Sequence, residues 1–460
     1  METVEPECEK EEGAMVPAAQ PFVESIRSAA PYIHAFRGRV FVVAFGGEAI
    51  EDEQAFLSLV HDLNLLHGLG VRVVMVHGAR PQIEQALAER QLQSQYVRGL
   101  RVTDLATMRC AQEVSGRVRA EIETLIAMGC WQHGFDGSHW ERVRIRVTSG
   151  NYVTAKPLGV LEGVDMQFTG EVRRIDAEAL RQHLDLGSMV LVSALGSSPT
   201  GESFNLSMED VATQIAVALR AHKLIFMFKE GGIFLDQELV SEMPLNDARQ
   251  MHRHHLDRLT PVEESALYLP AAIRACDQGV ERVHLIGYQD GVLLQELFTH
   301  HGVGTLVTRS PLDKIRPAVV DDIGGIISLI EPLEEAGILV HRPREVLERE
   351  IDHFWVAVHD SVIIGCAALH PYPEHHAGEI ACLAVDSDFQ REGYGEALLK
   401  MIAQKAQMRG LTQLFALTTR TSHWFVEHGF KVAGVDTLPW PRQQAYNTER
   451  RSKVYQKKLI

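Results

Sequence analysis

Between residues 378 and 403 the chain changes its hydrophobic period twice in a short span, and few architectures accommodate that. Gly378-Glu379-Ile380-Ala381-Cys382-Leu383-Ala384-Val385 reads as a short apolar strand. The run beginning Glu396-Ala397-Leu398-Leu399 reads as a helix, with Leu398, Leu399, Ile402 and Ala406 on one face. Between them lies Gln390-Arg391-Glu392-Gly393-Tyr394-Gly395. Glycines at 393 and 395 let backbone approach a phosphate closely. The first amides of the following helix have no partner in their own chain and point at the same place. The order strand, glycine loop, helix therefore predicts an anion-binding turn, although a glycine pair alone also punctuates ordinary turns.

A chain of 460 residues has room for two or three domains, and 45% apolar with 23% charged residues is ordinary for a globular protein. No apolar run approaches the roughly 20 residues that a membrane span needs. Met1 to Glu12 is acidic and has no apolar signal core, so residues 1–20 are expected to be a disordered tail and the protein cytoplasmic. The six cysteines include no Cys-x-x-Cys pair, as expected for thiols in a reducing compartment. Neither His252, His254 and His255 nor His375-His376 sits at ligand spacing from a cysteine or carboxylate, so no metal is expected. Formal charge is −16, without a basic stripe and interleaved aromatics, which argues against nucleic acid. Arg450 to Lys458 is locally basic: either a solvated terminal strand or a wall for an anionic ligand.

Residues 21–36 carry an apolar stripe at helical spacing, including Phe22, Ile26, Ile33 and Phe36. A strand, Val40 to Phe45, ends at Gly46-Gly47; a helix over roughly 52–69 follows, then the strand Val71 to Val76 and a turn at His77-Gly78-Ala79-Arg80. Strands alternating with helices at this pace predict an open, mainly parallel three-layer α/β sheet, with ligands beyond the strands' carboxyl ends.

The pattern resembles the amino-acid kinase family, in particular acetylglutamate kinase, over about residues 38–308. The supporting pieces are Gly99-Leu100-Arg101-Val102-Thr103, Gly201 to Leu206, the helix Glu209 to Leu219 and Gly231 to Leu235. The resemblance fails where phosphate would be transferred. Active members carry a lysine two residues before the first strand-end glycine, where this chain has Ala44, and no replacement lysine occurs in Arg258 to Glu263. Phosphoryl transfer depends on positioned cations, so this domain is expected to bind and assemble rather than catalyse.

His284-Leu285-Ile286-Gly287, Gln295-Glu296-Leu297-Phe298 and Gly302-Val303-Gly304-Thr305 resemble the signature of arginine-sensitive acetylglutamate kinases and synthases. In those proteins an N-terminal helix joins the effector site and ties dimers into a hexameric ring. The resemblance implies an L-arginine site at Tyr32, His284, Gly287, Glu296 and Gly304, and a homohexamer. Glu296 could pair a guanidinium, and backbone near Gly287 and Gly304 could meet a carboxylate. The alternative is that His284 ends a buried strand and the glycines only shape loops.

Residues 308–316 read as a linker. Beyond it come helices Asp321 to Glu335 and Arg344 to Asp352, and strands Phe354 to Val358 and Val362 to Leu369. The 378–403 run and Gln413 to Thr419 follow, then a short helix Ser422 to Glu427 and His428-Gly429-Phe430. This order, with the Gln/Arg-x-x-Gly-x-Gly loop, resembles the acetyl-CoA-dependent N-acetyltransferases of the GNAT superfamily, a mixed-sheet α/β fold filling residues 317–460. The domain plan is thus a tail (1–20), a kinase-like domain (21–307), the linker and an acetyltransferase domain.

The resemblance implies acetyl-CoA as cosubstrate. It is expected to be held by Leu383, Ala384 and Val385, with amides of Leu383 and Val385 on the pantetheine, and by Gln390, Arg391, Glu392, Gly393, Tyr394 and Gly395 on the pyrophosphate. An ammonium must lose a proton before it attacks a thioester. Glu379, expected to share a face with Ala381 and Leu383, could take that proton directly or through water; otherwise it is a solvated strand end. Many acetyltransferases protonate the departing thiolate with a tyrosine, absent from His423-Trp424-Phe425-Val426, and the resemblance puts Thr418 in that role. Two carboxylates on a substrate suit guanidinium forks. Arg342 matches the family's substrate arginine; Arg450, ahead of Arg451, is expected to supply the second, and Cys382 to line the pocket. The whole resembles the bacterial N-acetylglutamate synthases, which implies L-glutamate as acceptor and L-arginine as effector. A bifunctional synthase–kinase and a non-enzymatic arginine sensor are the alternatives.

Overall fold

A computed structural model describes residues 19–133, 140–143, 145–235, 237–255, 265–299, 302–309, 313–359, 362–390 and 392–459. The first eighteen residues of the expected tail, part of the linker, the stretch 258–263 and Arg391 lie outside them.

The first sheet has eight strands: β1 (Val40–Phe45), β2 (Arg72–His77), β3 (Val147–Ser149), β4 (Met189–Ser193), β5 (Lys223–Met227), β6 (Glu242–Pro244), β7 (Arg282–Ile286) and β8 (Thr305–Thr308). Their order is β6-β8-β7-β5-β1-β2-β4-β3, and every neighbouring pair is parallel except β7 with β8. Its central strands read as continuous apolar runs because both faces are covered. Phe41, Val43 and Phe45 of β1 face helices α1 (Ala19–Phe36), α2 (Glu53–Gly68) and α3 (Leu105–Ile126). Val42 and Ala44 face α4 (Met208–Leu219) and α5 (Ser265–Asp277). This is the expected three-layer arrangement.

The helix expected over 52–69 is present as α2, and a break at Asp52 sets it off from a shorter helix before it. Asp52 accepts a hydrogen bond from Ala55 N at 3.0 Å and starts α2, while Gly47–Glu51 forms a separate turn of helix. An aspartate serves better as an N-cap than inside a helix, which explains the break.

The second sheet holds β9 (Asp313–Pro317), β10 (Phe354–His359), β11 (Val362–Tyr372), β12 (Ala377–Val385), β13 (Gln413–Thr418), β14 (Lys431–Ala433) and β15 (Lys453–Lys458), in the order β9-β10-β11-β12-β13-β15-β14. Only β12 with β13 is parallel. The linker reading of 308–316 is corrected at both ends. Thr308 closes β8, and Asp313–Pro317 is a short, charged edge strand ending in proline, a composition that hides strand character. Helices α7 (Ile323–Glu335) and α8 (Arg344–Glu350) cover one face, and α9 (Tyr394–Met408) the other.

Helix α1 lies between the two sheets. Its Phe36 packs on Phe41 at 5.2 Å and on Phe298 of α6 (Val292–Phe298) at 5.9 Å, while His34 approaches Gly324 at the start of α7.

On α2, Asp62 is buried; burial pushes its carboxyl from 3.8 to about 7, and the charge of Asp290 adds to the rise. The group stays protonated in the fold but ionises in the unfolded chain above its ordinary range, so stability falls as pH rises towards 7. Asp62→Asn is therefore expected to melt higher than the parent at pH 8 and alike at pH 3. Equal melting at both pH values would contradict this.

Candidate active site

The site is built on an irregularity in β12. Cys382 has φ +48°, and the β11–β12 register shifts between Cys366 and Ala368. A bulge inserts one residue and reverses the alternation beyond it. The expectation that Glu379, Ala381 and Leu383 share a face is corrected accordingly. Ala381 and Cys382 both lie on the α7 side with Glu379, whereas Leu383 and Val385 pack on the α9 side. The bulge also ends the pairing of β12 with β13 at Ile380 opposite Ala416. Past that pair the two strands part, and among the described residues Ala381–Val385 have no strand neighbour on that side. Backbone left this way can pair with an extended chain.

Immediately beyond the parted strands, Gly393 has φ +90°, which favours glycine, and begins α9 with no side-chain cap. A Cβ added at Gly395 would lie 3.4 Å from the Trp424 ring, so backbone rather than side chain faces the opening there. Gln390 turns back, donating from Nε2 to Val385 O at 3.4 Å. Gln390, Glu392 and Gly393 are exposed and Tyr394 partly so. The uncapped start of a fifteen-residue helix beside exposed backbone fits a pyrophosphate.

On the α7 face, Glu379 is buried and its two oxygens accept from Arg442 Nε and Nη2 at 2.7 and 3.0 Å. Tyr372 Oη donates to the same carboxylate at 3.4 Å. Sequence reasoning missed Arg442. It lies on the five-residue helix Trp440–Gln444, too short to announce itself by period; the available clue was that a buried strand carboxylate needs a cation. Burial pushes the Cys382 thiol up to about 11, while Arg342 beside it acts in the opposite direction. Arg342 is partly exposed and anchored through its amide to Glu334 Oε1 at 3.0 Å. Arg450 donates from Nη2 to Ile338 O at 2.5 Å and Gly337 O at 3.3 Å, so it holds the turn that carries Arg342. Its Nε is buried without a partner among the described residues, and Arg451 is exposed. Thr418 follows Leu414 and Ala416 onto the α9 face. Its hydroxyl accepts from Thr421 N at 3.0 Å and sits 2.7 Å from the Thr421 hydroxyl.

In the first domain, His284, Gly287, Glu296 and Gly304 do come together. His284 Nδ1 lies 2.6 Å from Glu296 Oε1, and Glu296 Oε2 accepts from Val303 N and Gly304 N at 2.7 and 3.1 Å. Burial alone would raise Glu296, but His284 and these amides hold its carboxyl low. The fully buried Lys223 approaches His284 Nε2 at 3.1 Å and lies 5.1 Å above the ring of Phe36. An ammonium can only donate, so Nε2 accepts and Nδ1 carries the imidazole proton towards Glu296. The sequence reading missed Lys223, whose strand otherwise reads as apolar. Tyr32 is buried one turn before Phe36.

At the ends of β1 and β2 a cavity of about 90 Å³ is lined by Gly46, Glu48, Arg80, Arg101, Asn205 and Glu209, among others. Glu48 folds over Gly46, where an added Cβ would meet its carboxylate, and Ala44 is buried in the core. Among the described residues no three His, Cys, Asp or Glu side chains are grouped to hold a metal.

Residues 39–287 match the pattern of the amino acid kinase family and residues 326–430 that of the acetyltransferase (GNAT) family. The chain is 48% identical to an amino-acid acetyltransferase of Ralstonia nicotianae, covering 96% of both chains. It is also 48% identical to that of Pseudomonas putida, covering 95% of this chain and 99% of the relative. The chain belongs to the amino-acid acetyltransferases. The N-acetylglutamate synthase of Neisseria gonorrhoeae complexed with coenzyme A and L-arginine is similar in structure, with a TM-score of 0.74 at 38% identity, over 95% of this chain and 99% of that one. The same synthase complexed with coenzyme A and N-acetyl-glutamate aligns over equal shares at a TM-score of 0.57.

Within this acetyltransferase, Arg442 and Glu379 depend on each other. Arg442→Met leaves a buried carboxylate without its cation and is expected to cost about 3 kcal/mol in denaturant unfolding. Adding Glu379→Gln should recover much of that loss. Additive costs in the double variant would contradict the pairing.

Proposed function

We propose that the protein transfers acetyl from acetyl-CoA to the α-amino group of L-glutamate, the first step of arginine biosynthesis, under feedback by L-arginine. The observation that carries this reading is the parting of β12 from β13 between the open start of α9 and the arginine-bearing pocket. An extended pantetheine laid along Leu383–Val385 directs its thioester towards Glu379. Its pyrophosphate then reaches Gly393 and the first amides of α9.

In the pocket, Arg342 receives one substrate carboxylate. Arg450 is occupied by the Gly337 and Ile338 carbonyls, which leaves Arg451 as the remaining guanidinium of that segment for the second. Glu379, held in the fork of Arg442, accepts hydrogen bonds from the ammonium or from a water beside it. The turn built by Thr418 places its hydroxyl at the mouth of the parted strands, where the thiolate departs. The chemistry needs no metal.

For the kinase-like domain, Ala44 in the core and Glu48 over the strand-end glycine support binding without phosphate transfer. The Lys223–His284–Glu296 chain, packed under α1, supports the effector reading. So does the higher structural similarity to the arginine complex than to the product complex, at equal coverage and identity. A ligand shifts such an arrangement only through differential affinity for its two forms. A cytoplasmic homohexamer, tied together through α1, completes the proposal.

The test is thiol release from acetyl-CoA with a panel of amino acids, with and without arginine. Turnover is expected with glutamate and not with lysine, lowered by arginine, and without phosphotransfer from ATP. Arg342→Ala is expected to raise KM for glutamate by at least tenfold, about 1.4 kcal/mol of binding. Unchanged KM in that variant would remove the diacid pocket from the account.

A further inference from the structure

Glu379 is poorly placed to be the final resting place of a proton. Both of its oxygens lie in the fork of Arg442, at 2.7 and 3.0 Å. A carboxylate held this way still accepts a hydrogen bond, but neither oxygen is clear of the fork.

Directly opposite Glu379, in the antiparallel pairing of β11 with β12, stands His370. Residues facing one another across antiparallel strands project from the same face with Cβ atoms about 5 Å apart. The imidazole therefore shares the face that holds Glu379, Cys382 and Arg342. It is partly buried and packs against His353, with ring centroids 5.3 Å apart. His353 Nδ1 lies 3.1 Å from Leu369 O, so that nitrogen carries the proton and fixes the ring. Burial is the main influence on His370 and holds it below the ordinary 6.5. Glu350 of α8 and Glu379 of β12 favour its charged form, while His353 from the turn before β10 and Arg342 from the loop before α8 oppose it. An imidazole whose burial disfavours its charged form thus stands beside a carboxylate already taken up by a guanidinium fork.

We propose that His370 is the catalytic group that accepts the proton of the substrate ammonium, directly or through one water, while Glu379 orients that ammonium. This rests on the acetyl-transfer reading above. The nitrogen loses two protons on becoming an amide. The first passes to His370; the freed lone pair attacks the thioester carbon and the C–N bond forms. Collapse breaks the C–S bond, the second nitrogen proton goes to the departing thiolate, and His370 returns its proton to solvent. One proton is released per turnover.

The test is the pH dependence of kcat for the full-length protein and for His370→Gln, with coenzyme A affinity measured on both. In the parent, kcat should decline below a pH set by the imidazole. In the variant, kcat at pH 8 should be lower by about 100-fold, the size of a general-base contribution. Its profile should lose the acidic limb, added imidazole should restore part of the rate, and coenzyme A should bind as tightly as before. A variant with parental kcat would overturn the proposal. So would a slow one that keeps the limb and ignores imidazole, or one that no longer binds coenzyme A while His370→Asn folds and behaves as the parent. A parent that releases no thiol with any amino acid would sink the acetyl-transfer reading itself, and is recognisable because no variant is involved.

Discussion

Two strands that begin as parallel neighbours and then separate set the conditions for everything at the acetyl end of this protein. β12 and β13 pair from Ala377 opposite Gln413 to Ile380 opposite Ala416, and the bulge at Cys382 then turns β12 away. Backbone N–H and C=O groups in an interior demand partners, so strands do not part without a replacement or access to water. The replacement we propose here is a ligand with its own amide backbone. Because the bulge also reverses alternation, it puts Cys382 on the face of Glu379 and Arg342, and turns Leu383 to α9. One irregular residue thus creates the opening and decides which side chains look into it.

The side chains beside that opening are organised by charge. Glu379, Arg442 and Tyr372 form one group, Arg342 and Cys382 another, and Arg450 braces the turn between α7 and α8 from the far end of the chain. Arg450 joins residues more than a hundred positions apart, so the C-terminal segment closes a site begun by α7. The first domain uses the same device differently. Lys223, His284 and Glu296 form a fully interior chain whose far end holds the Val303–Gly304 amides and whose near end lies under Phe36 of α1. Helix α1 also lies against β11, so the same helix meets this interior chain and the acetyltransferase sheet.

Much of this was legible in the chain. The parallel core followed from apolar runs ending in glycines, and the α9 loop from its glycine spacing and following helix. What escaped was whatever depends on a long-range neighbour. Arg442 sits on a helix too short to show a period. Lys223 looks like a polar error in an apolar strand until His284 is beside it. Strict alternation misassigned Cys382 and Leu383 because a bulge leaves no local mark in a run of small and apolar residues. His370, in the run Leu369-His370-Pro371-Tyr372, gains meaning only from the register that sets it against Glu379. Residues 313–316 read as linker because edge strands are short and charged by necessity.

The central claim is that an extended thioester carrier takes the place of the missing strand beside β12. Hydrogen exchange at the amides of Leu383 and Val385, with and without coenzyme A, tests it most directly. The account predicts fast exchange in the free protein and strong protection when the ligand binds, with little change at Gly378–Ile380, where β13 already provides the partner. Protection that is unaltered at 383 and 385, or already complete before the ligand is added, would contradict it.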